Sequence, residues 1–175
     1  MTDSQDRELT LRCTGKVLNR LSRATGKPNL ASLSPSDDDW YVNLLWLDRR
    51  KCLLITHAAT LFSVLAGDVR QTDLNQIGPL VVAQIQHELG AEGLPIDTFG
   101  RLDPARVRPA TTASRSVLGC MNDMAFICRY AVGEVGGLAY CDLPALNRQL
   151  RRNINSARGY ARPIDLAAGW PRSLS

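Results

Sequence analysis

The segment from Trp40 to His57 constrains the fold of this chain more than any other. Residues 40–47, WYVNLLWL, have the period-two alternation of a strand, and both of its faces are largely apolar. One face carries Trp40, Val42, Leu44 and Trp46. A strand that is apolar on both faces lies in the centre of a sheet and is covered on both sides. Residues 48–51 form a turn and residues 52–56, CLLIT, return, so the sequence predicts a central β-hairpin.

The remaining elements surround this hairpin. The sequence predicts a strand over 9–14, a short helix over 15–24, a helix over 71–90 that breaks near Gly78-Pro79, and a last helix capped by Asp142. Residues 58–66 fit either a third strand or a short helix. Residues 91–114 read as a long connection, which either hides an edge strand at 94–99 or is a mobile functional loop.

These elements predict the fold class and the domain limits. We expect an α+β fold with a small antiparallel sheet, built on a central β-hairpin at about 40–57 and packed against three to four helices. A single domain would span residues 9–165, between a disordered leader (1–8) and an extended tail (166–175). A chain of 175 residues is long enough for one domain with a substantial core.

The clearest helix, residues 115–132, is apolar almost all the way round, which predicts a buried position. Its polar members are Arg115, Ser116, Asn122, Asp123 and Arg129. Arg115, Asn122 and Arg129 recur every seven residues and therefore share one face. They are candidates for binding an anion or an amide, with Asp123 beside them. The alternative is a buried hydrogen-bond network that fixes the packing of the helix.

His57, at the end of the hairpin, is a candidate general base. An enzyme would place it with Ser116 and Asn122, the other catalytic candidates, and with Arg115 around one pocket. A lone histidine is as readily a structural hydrogen-bonding group, and no carboxylate in the sequence is marked to orient it. Signature motifs for phosphate loops, serine hydrolases and zinc enzymes are absent from the sequence. The sequence predicts no cofactor and no metal site.

The basic residues are unevenly distributed along the chain. Residues 1–100 hold 10 Lys/Arg and 12 Asp/Glu, whereas residues 101–175 hold 11 Arg and 5 Asp/Glu. The arginine-rich second part suggests a nucleic-acid surface on which Tyr160 stacks against a base. Its candidate contacts are Arg49, Arg50, Arg148, Arg151, Arg152, Arg158 and Arg162. The alternative is an ordinary solvated surface.

Five scattered cysteines without a CxxC pair are typical of reduced thiols in a cytoplasmic protein. The polar N-terminus does not resemble a signal peptide, and no apolar run approaches the roughly 20 residues that span a bilayer. We therefore expect a cytoplasmic location and no membrane contact. The oligomeric state does not follow from the sequence.

Several strings of the chain resemble an uncharacterised bacterial domain family. They are an RCT-K segment at residues 12–16, a W-x-x-N-L…RRK-x-L-x-x-TH hairpin at 40–57 and RSVLG-x-MND at 115–123. Cys120 stands where the family pattern more often has serine, which argues against a catalytic hydroxyl there. The resemblance covers most of residues 9–165 and implies a compact cytosolic α+β domain. It implies no activity.

Three functions are compatible with the sequence. The first is a small accessory protein that binds a protein partner, because the chain has a core without a catalytic signature. The second is a nucleic-acid-binding protein. The third is a metal-independent hydrolase or nuclease that acts on RNA or a nucleotide.

Overall fold

A computed structural model describes residues 8–25, 30 and 33–170. Its strands are β1 (Leu9–Cys13), β2 (Trp40–Leu47), β3 (Arg50–His57), β4 (Ser63–Ala66) and β5 (Val107–Thr111). Its helices are α1 (Gly15–Thr25), α2 (Gln71–Leu74), α3 (Ile77–Ala91), α4 (Arg115–Glu134), α5 (Leu143–Arg152) and α6 (Pro163–Ala168). Two short 3₁₀ turns cover Leu138–Tyr140 and Ser156–Arg158.

The five strands form one open sheet in the order β4-β3-β2-β1-β5. The predicted α+β fold with a central hairpin is confirmed, since β2 and β3 pair antiparallel along their whole length. The prediction of an antiparallel sheet was wrong, because β1 pairs parallel with both β2 and β5. α1 connects β1 to β2, and a helical connection of this kind permits a parallel pair. α6 is additional to the three to four helices that the sequence predicted, whereas α2 is the first part of the predicted broken helix.

Helices cover the sheet on both faces, as the apolar pattern of β2 requires. Trp40, Val42 and Leu44 point into a core shared with α1 and α3. Tyr41, Leu45 and Leu47 point into a second core shared with α4 and α5. The sheet therefore separates two helical layers, and a side chain on one face cannot meet one on the other.

The structure decides between the two alternatives for one segment and corrects the predictions for two others. Residues 63–66 form the strand β4, which decides between the two alternatives for 58–66. The long connection contains an edge strand, but it lies at 107–111 and not at 94–99. The helix break falls before Ile77, so that Gly78 lies inside α3. A Cβ at Gly78 would lie 2.6 Å from the Pro104 carbonyl oxygen, so glycine there permits close packing.

The predicted termini are only partly within the described residues. Residues 1–7 of the predicted leader and residues 171–175 of the predicted tail lie outside them. Glu8 is described and pairs with Arg108 of the edge strand. The extended tail is wrong from its first residue, because residues 166–168 complete α6, which Pro163 begins.

Candidate functional site

α4 packs one side against the sheet and leaves the other exposed. Its buried residues are Val117, Cys120, Met121, Met124, Ala125, Cys128 and Val132. The helix starts at a fixed point, because the Ser114 side chain accepts a hydrogen bond from the Val117 N–H and the Ser114 N–H donates to the Tyr41 hydroxyl. A helix anchored at its start and along one side presents the opposite side in a defined orientation.

The polar residues predicted to be buried in α4 are all exposed. They are Arg115, Ser116, Asn122, Asp123 and Arg129. The predicted buried hydrogen-bond network was therefore wrong, and any site for an anion or an amide formed by these residues lies on the surface. The helix is apolar almost all the way round in sequence partly because of Phe126 and Tyr130. These two rings are in fact 70% and 62% exposed.

We call the exposed side of this helix the α4 outer face. Its exposed residues are Arg115, Ser116, Gly119, Asn122, Asp123, Phe126, Arg129, Tyr130, Gly133 and Glu134. The two aromatic rings lie one turn apart, and the arginines flank them along the same side of the helix. The predicted ligand-binding residues are therefore brought together as an exposed surface.

A pocket of about 420 Å³ lies where the end of α4 meets the β2–β3 turn. Its lining residues are Trp46, Leu47, Asp48, Arg129, Val132, Gly133, Gly136 and Gly137. The Leu138 N–H donates to the Asp48 carboxylate at 3.1 Å, which joins the turn to the segment after α4. Gly137 has a φ of 139°, and a Cβ there would lie 2.7 Å from Asp48 Oδ2. Glycine is needed for this junction.

His57 lies on the opposite face of the sheet from α4. It pairs in register with Trp40, and its ring centroid is 4.4 Å from that of Phe99 and 5.0 Å from that of Trp170. The structure therefore does not bring His57 together with Ser116 and Asn122. The predicted catalytic set is not assembled by the described residues.

The surroundings of His57 are those of a structural histidine. Its Nδ1 accepts a hydrogen bond from the Thr60 N–H at 3.3 Å and lies 3.0 Å from the Thr60 hydroxyl. Burial and, to a smaller extent, the nearby Arg158 charge lower the pKa of His57 to about 3. A neutral ring is thereby favoured at neutral pH, and it packs in an aromatic cluster.

The C-terminal arginines do not form the predicted basic surface. Arg151 is 0% exposed, and its guanidinium donates to Glu88 at 2.7 Å and to Glu92 at 2.8 Å. Arg152 also pairs with Glu92, at 2.7 Å. Arg158 donates to the carbonyl oxygens of Ala58 and Ala59. These three arginines hold α5 and the following turn against the sheet.

The other predicted contacts are exposed but scattered. Arg162 pairs with Asp165 at 2.7 Å, whereas Arg148 is exposed on α5. Tyr160 is 68% exposed and has a φ of 59° in the small loop closed by the Asn155–Ala161 bridge. Arg49 and Arg50 lie at the β2–β3 turn, far from Arg158, which binds the turn at the other end of β3.

The sequence did not indicate two arrangements of side chains. Arg12 is buried and its guanidinium binds Asp39, the Thr111 carbonyl oxygen and two carbonyls of residues 33–34. Arg20 lies over the half-exposed ring of Trp46, with its guanidinium carbon 5.6 Å from the ring centroid. Only the alternation of β2, which places Trp46 at the end of an apolar face, could have marked the second arrangement.

Other kinds of site find no support in the part of the chain that the structure describes. No group of three His, Cys, Asp or Glu side chains in that part is arranged to hold a metal ion. None of the helices found there combines the length and apolar character needed to cross a bilayer.

Comparisons with known proteins agree with the resemblance to an uncharacterised domain family. A search of the curated proteins and a search of the solved structures returned no match. The family model described as a domain of unknown function, DUF6933, matches residues 10–166. This range includes β1 except its first residue, and all of β2 to β5, α4 and α5. The chain therefore belongs to the DUF6933 family, whose function is unknown.

Proposed function

We propose that this protein is a small interaction protein that binds a protein partner through the α4 outer face. The observation that supports the proposal most strongly is the exposure of Phe126 and Tyr130 side by side on a helix whose opposite side is anchored in the core. Single exposed apolar residues are common, but neighbouring exposed aromatic rings typically mark a contact surface.

The chemistry of the face suits protein recognition. Aromatic residues and arginine are enriched in interfaces, and they dominate the binding energy where they do occur. Phe126 and Tyr130 provide large rigid rings that lose little conformational entropy on binding. The adjoining pocket at the β2–β3 turn offers a cavity for a side chain of the partner.

The charges of the face restrict the partner. Arg115 and Arg129 form no ion pair with any described residue, and both point to solvent. Asp123 and Glu134 are the acidic members of the face. A partner with an apolar patch bordered by carboxylates would pair with both arginines, and such charge complementarity gives specificity.

The proposed setting is the cytoplasm of a bacterium, in which a thiol stays reduced. All five cysteines are free, and burial raises the pKa values of Cys13 and Cys128 to about 12. The hydrolase alternative has less support, because His57 and Ser116 lie on opposite sides of the sheet.

A crosslinking experiment in the host cell tests the proposal. A photo-reactive phenylalanine analogue replaces Phe126 in one variant and Tyr160, which is equally exposed, in the control variant. We expect one discrete heterologous crosslink from position 126 and none from position 160. The purified partner should then bind Phe126→Ala and Tyr130→Ala at least about tenfold more weakly than the unmodified protein.

Two results would contradict the proposal. Crosslinks of the same pattern from positions 126 and 160 would mean that the α4 outer face has no specific role. A single crosslink at twice the 19.2 kDa mass of the chain would mean that the face joins two copies of this protein. Circular dichroism of each alanine variant checks folding, and both should unfold like the unmodified protein because their side chains are exposed.

A further inference from the structure

The end of the sheet at the β2–β3 turn collects basic residues that are far apart in the sequence. The register pairs Trp46 with Lys51, so that both lie next to the turn that contains Arg49. The Val69 N–H donates to the Lys51 carbonyl oxygen at 2.7 Å, which brings Arg70 to the same end. Residues from α1 and α4 also belong to this group.

α1 and α4 reach this end from opposite faces of the sheet. The Gln71 amide donates to the Arg20 carbonyl oxygen at 3.3 Å, and the Arg20 guanidinium lies over Trp46. Arg129 lines the same pocket as Trp46. We call this group the hairpin-end surface, and its members are Arg20, Trp46, Arg49, Lys51, Arg70 and Arg129.

Three carboxylates also lie at this end, and one of them, Asp68, forms an ion pair. Asp48 accepts the Leu138 N–H, Asp73 accepts the Arg70 N–H at 2.8 Å, and Asp68 pairs with Arg50 at 2.9 Å. The five cations of the hairpin-end surface, in contrast, form no ion pair with any residue in the described ranges. A concentration of unpaired cations attracts an anionic ligand and raises its association rate.

The Trp46 ring lies beside Arg20 and Lys51 and indicates which class of anionic ligand this surface binds. The Trp46 ring is 49% exposed, although alternation places it on a face that is otherwise buried. An exposed indole beside the Arg20 guanidinium can stack on a nucleobase, and the neighbouring cations can bind the phosphates of that nucleotide.

We propose that the hairpin-end surface binds single-stranded nucleic acid. One base stacks on Trp46, and the phosphates on either side contact cations from α1, the β2–β3 turn and the start of α2. A paired base cannot stack in this way, which disfavours a duplex. Cations on several separate elements contact more than one phosphate, which favours a strand over a mononucleotide.

This inference goes beyond the proposed protein partner and does not depend on it. Arg129 is the residue that the hairpin-end surface shares with the α4 outer face. Neither experiment alters Arg129, so the two proposals can fail separately.

The test measures fluorescence anisotropy of a labelled 12-nucleotide oligo-dT and oligo-rU with the full chain at several salt concentrations. We expect binding that weakens steeply with salt, because the cations displace counterions from the phosphates. An unlabelled duplex of equal length and thymidine monophosphate should compete poorly. The Arg49→Glu/Arg70→Glu variant should bind at least about tenfold more weakly and reduce the salt slope by about two.

A matched variant separates a specific surface from net charge. Arg115→Glu/Arg148→Glu changes the net charge equally, and both arginines are exposed elsewhere on the protein. It should keep binding within about twofold of the unmodified protein. Trp46→Ala should bind about tenfold more weakly, with Trp46→Phe recovering part of the loss because phenylalanine also stacks.

Three outcomes would overturn the proposal. They are a lack of binding to either oligonucleotide at low salt, equal losses in the two double variants, and tighter binding of the duplex than of the single strand. A higher affinity for thymidine monophosphate than for the oligonucleotide would mean that the surface binds free nucleotides instead. Thermal unfolding of each variant confirms that it is folded before its affinity is compared.

Discussion

The C-terminal arginines and the hairpin-end surface show opposite relations between charge in sequence and charge in space. Residues 101–175 hold 11 arginines against 5 acidic residues, yet Arg151, Arg152 and Arg162 are neutralised by carboxylates. Two of those carboxylates, Glu88 and Glu92, come from the more acidic first part of the chain. Conversely, that first part supplies Arg20, Arg49, Lys51 and Arg70 to a surface without compensating pairs. Net charge along a sequence therefore does not locate an electrostatic surface.

The difference follows from burial. Arg151 is enclosed between α3 and α5, and an enclosed charge needs partners to offset its desolvation. Arg49 is at the exposed tip of a hairpin, where water solvates the guanidinium and no partner is required. The same residue type is thus a structural clamp in one region and is available to a ligand in the other.

The largest effect is expected at Arg151. Arg151→Met leaves Glu88 and Glu92 without their buried partner and removes a donor to the Ser63 carbonyl oxygen. We expect a loss of about 3–5 kcal/mol in the free energy of unfolding. Urea denaturation followed by circular dichroism measures it. A loss below about 1 kcal/mol would mean that Arg151 is not a clamp, and the contrast would disappear.

An intermediate loss of stability is expected at acidic pH. It comes from His57, which lies next to the turn that Arg158 binds. The pKa of His57 is lowered to about 3 in the folded protein and returns towards 6.5 on unfolding. The unfolded chain therefore binds more protons between these values, and stability falls as the pH drops below about 6.5. From pH 7 to pH 5 we expect a loss of about 2 kcal/mol.

A comparison with His57→Gln isolates this effect, since glutamine does not titrate. Urea denaturation at pH 7 and pH 5 should show a much smaller loss for the variant. The window stays above the range in which most carboxylates titrate, including Glu92, whose pKa is lowered chiefly by its hydrogen bond with Arg152. Equal losses in both proteins would show that His57 is not held neutral.

The smallest effect is expected at exposed arginines of either region. Arg49→Ala and Arg148→Ala remove side chains that form no ion pair with a described residue. Each should change the free energy of unfolding by less than about 0.5 kcal/mol. Thermal unfolding in parallel with Arg151→Met gives the comparison directly. A loss above about 1 kcal/mol at Arg49 would indicate that the hairpin-end arginines are structural as well.

Local patterns predicted the parts of the fold that depend on neighbouring residues. The limits and the two faces of β2 were predicted correctly, because alternation is a property of consecutive residues. The start of α5 was also predicted, and the Asp142 carboxylate accepts the Ala145 N–H as a helix cap. The separation of the two cores followed from the apolar character of both faces of β2.

Long-range pairing was beyond those patterns. β5 lies beside β1 although almost 100 residues separate them, and a short edge strand that contains Pro109 has a weak strand signal. The buried pair of Arg12 and Asp39 likewise joins a strand to a polar loop that is remote from it in sequence. Neither could be found without knowing which segments meet.

The candidate sites divide in the same way. The seven-residue recurrence of Arg115, Asn122 and Arg129 correctly placed them on one face of α4, but it could not decide whether that face looks inward or outward. The sequence by itself determined the hairpin, the longer helices and the residues that share each face, because these depend on backbone geometry within a few residues. Only the tertiary structure decided which faces are covered, which arginines are neutralised and which cations gather around Trp46, because these depend on packing between segments that are remote in the chain.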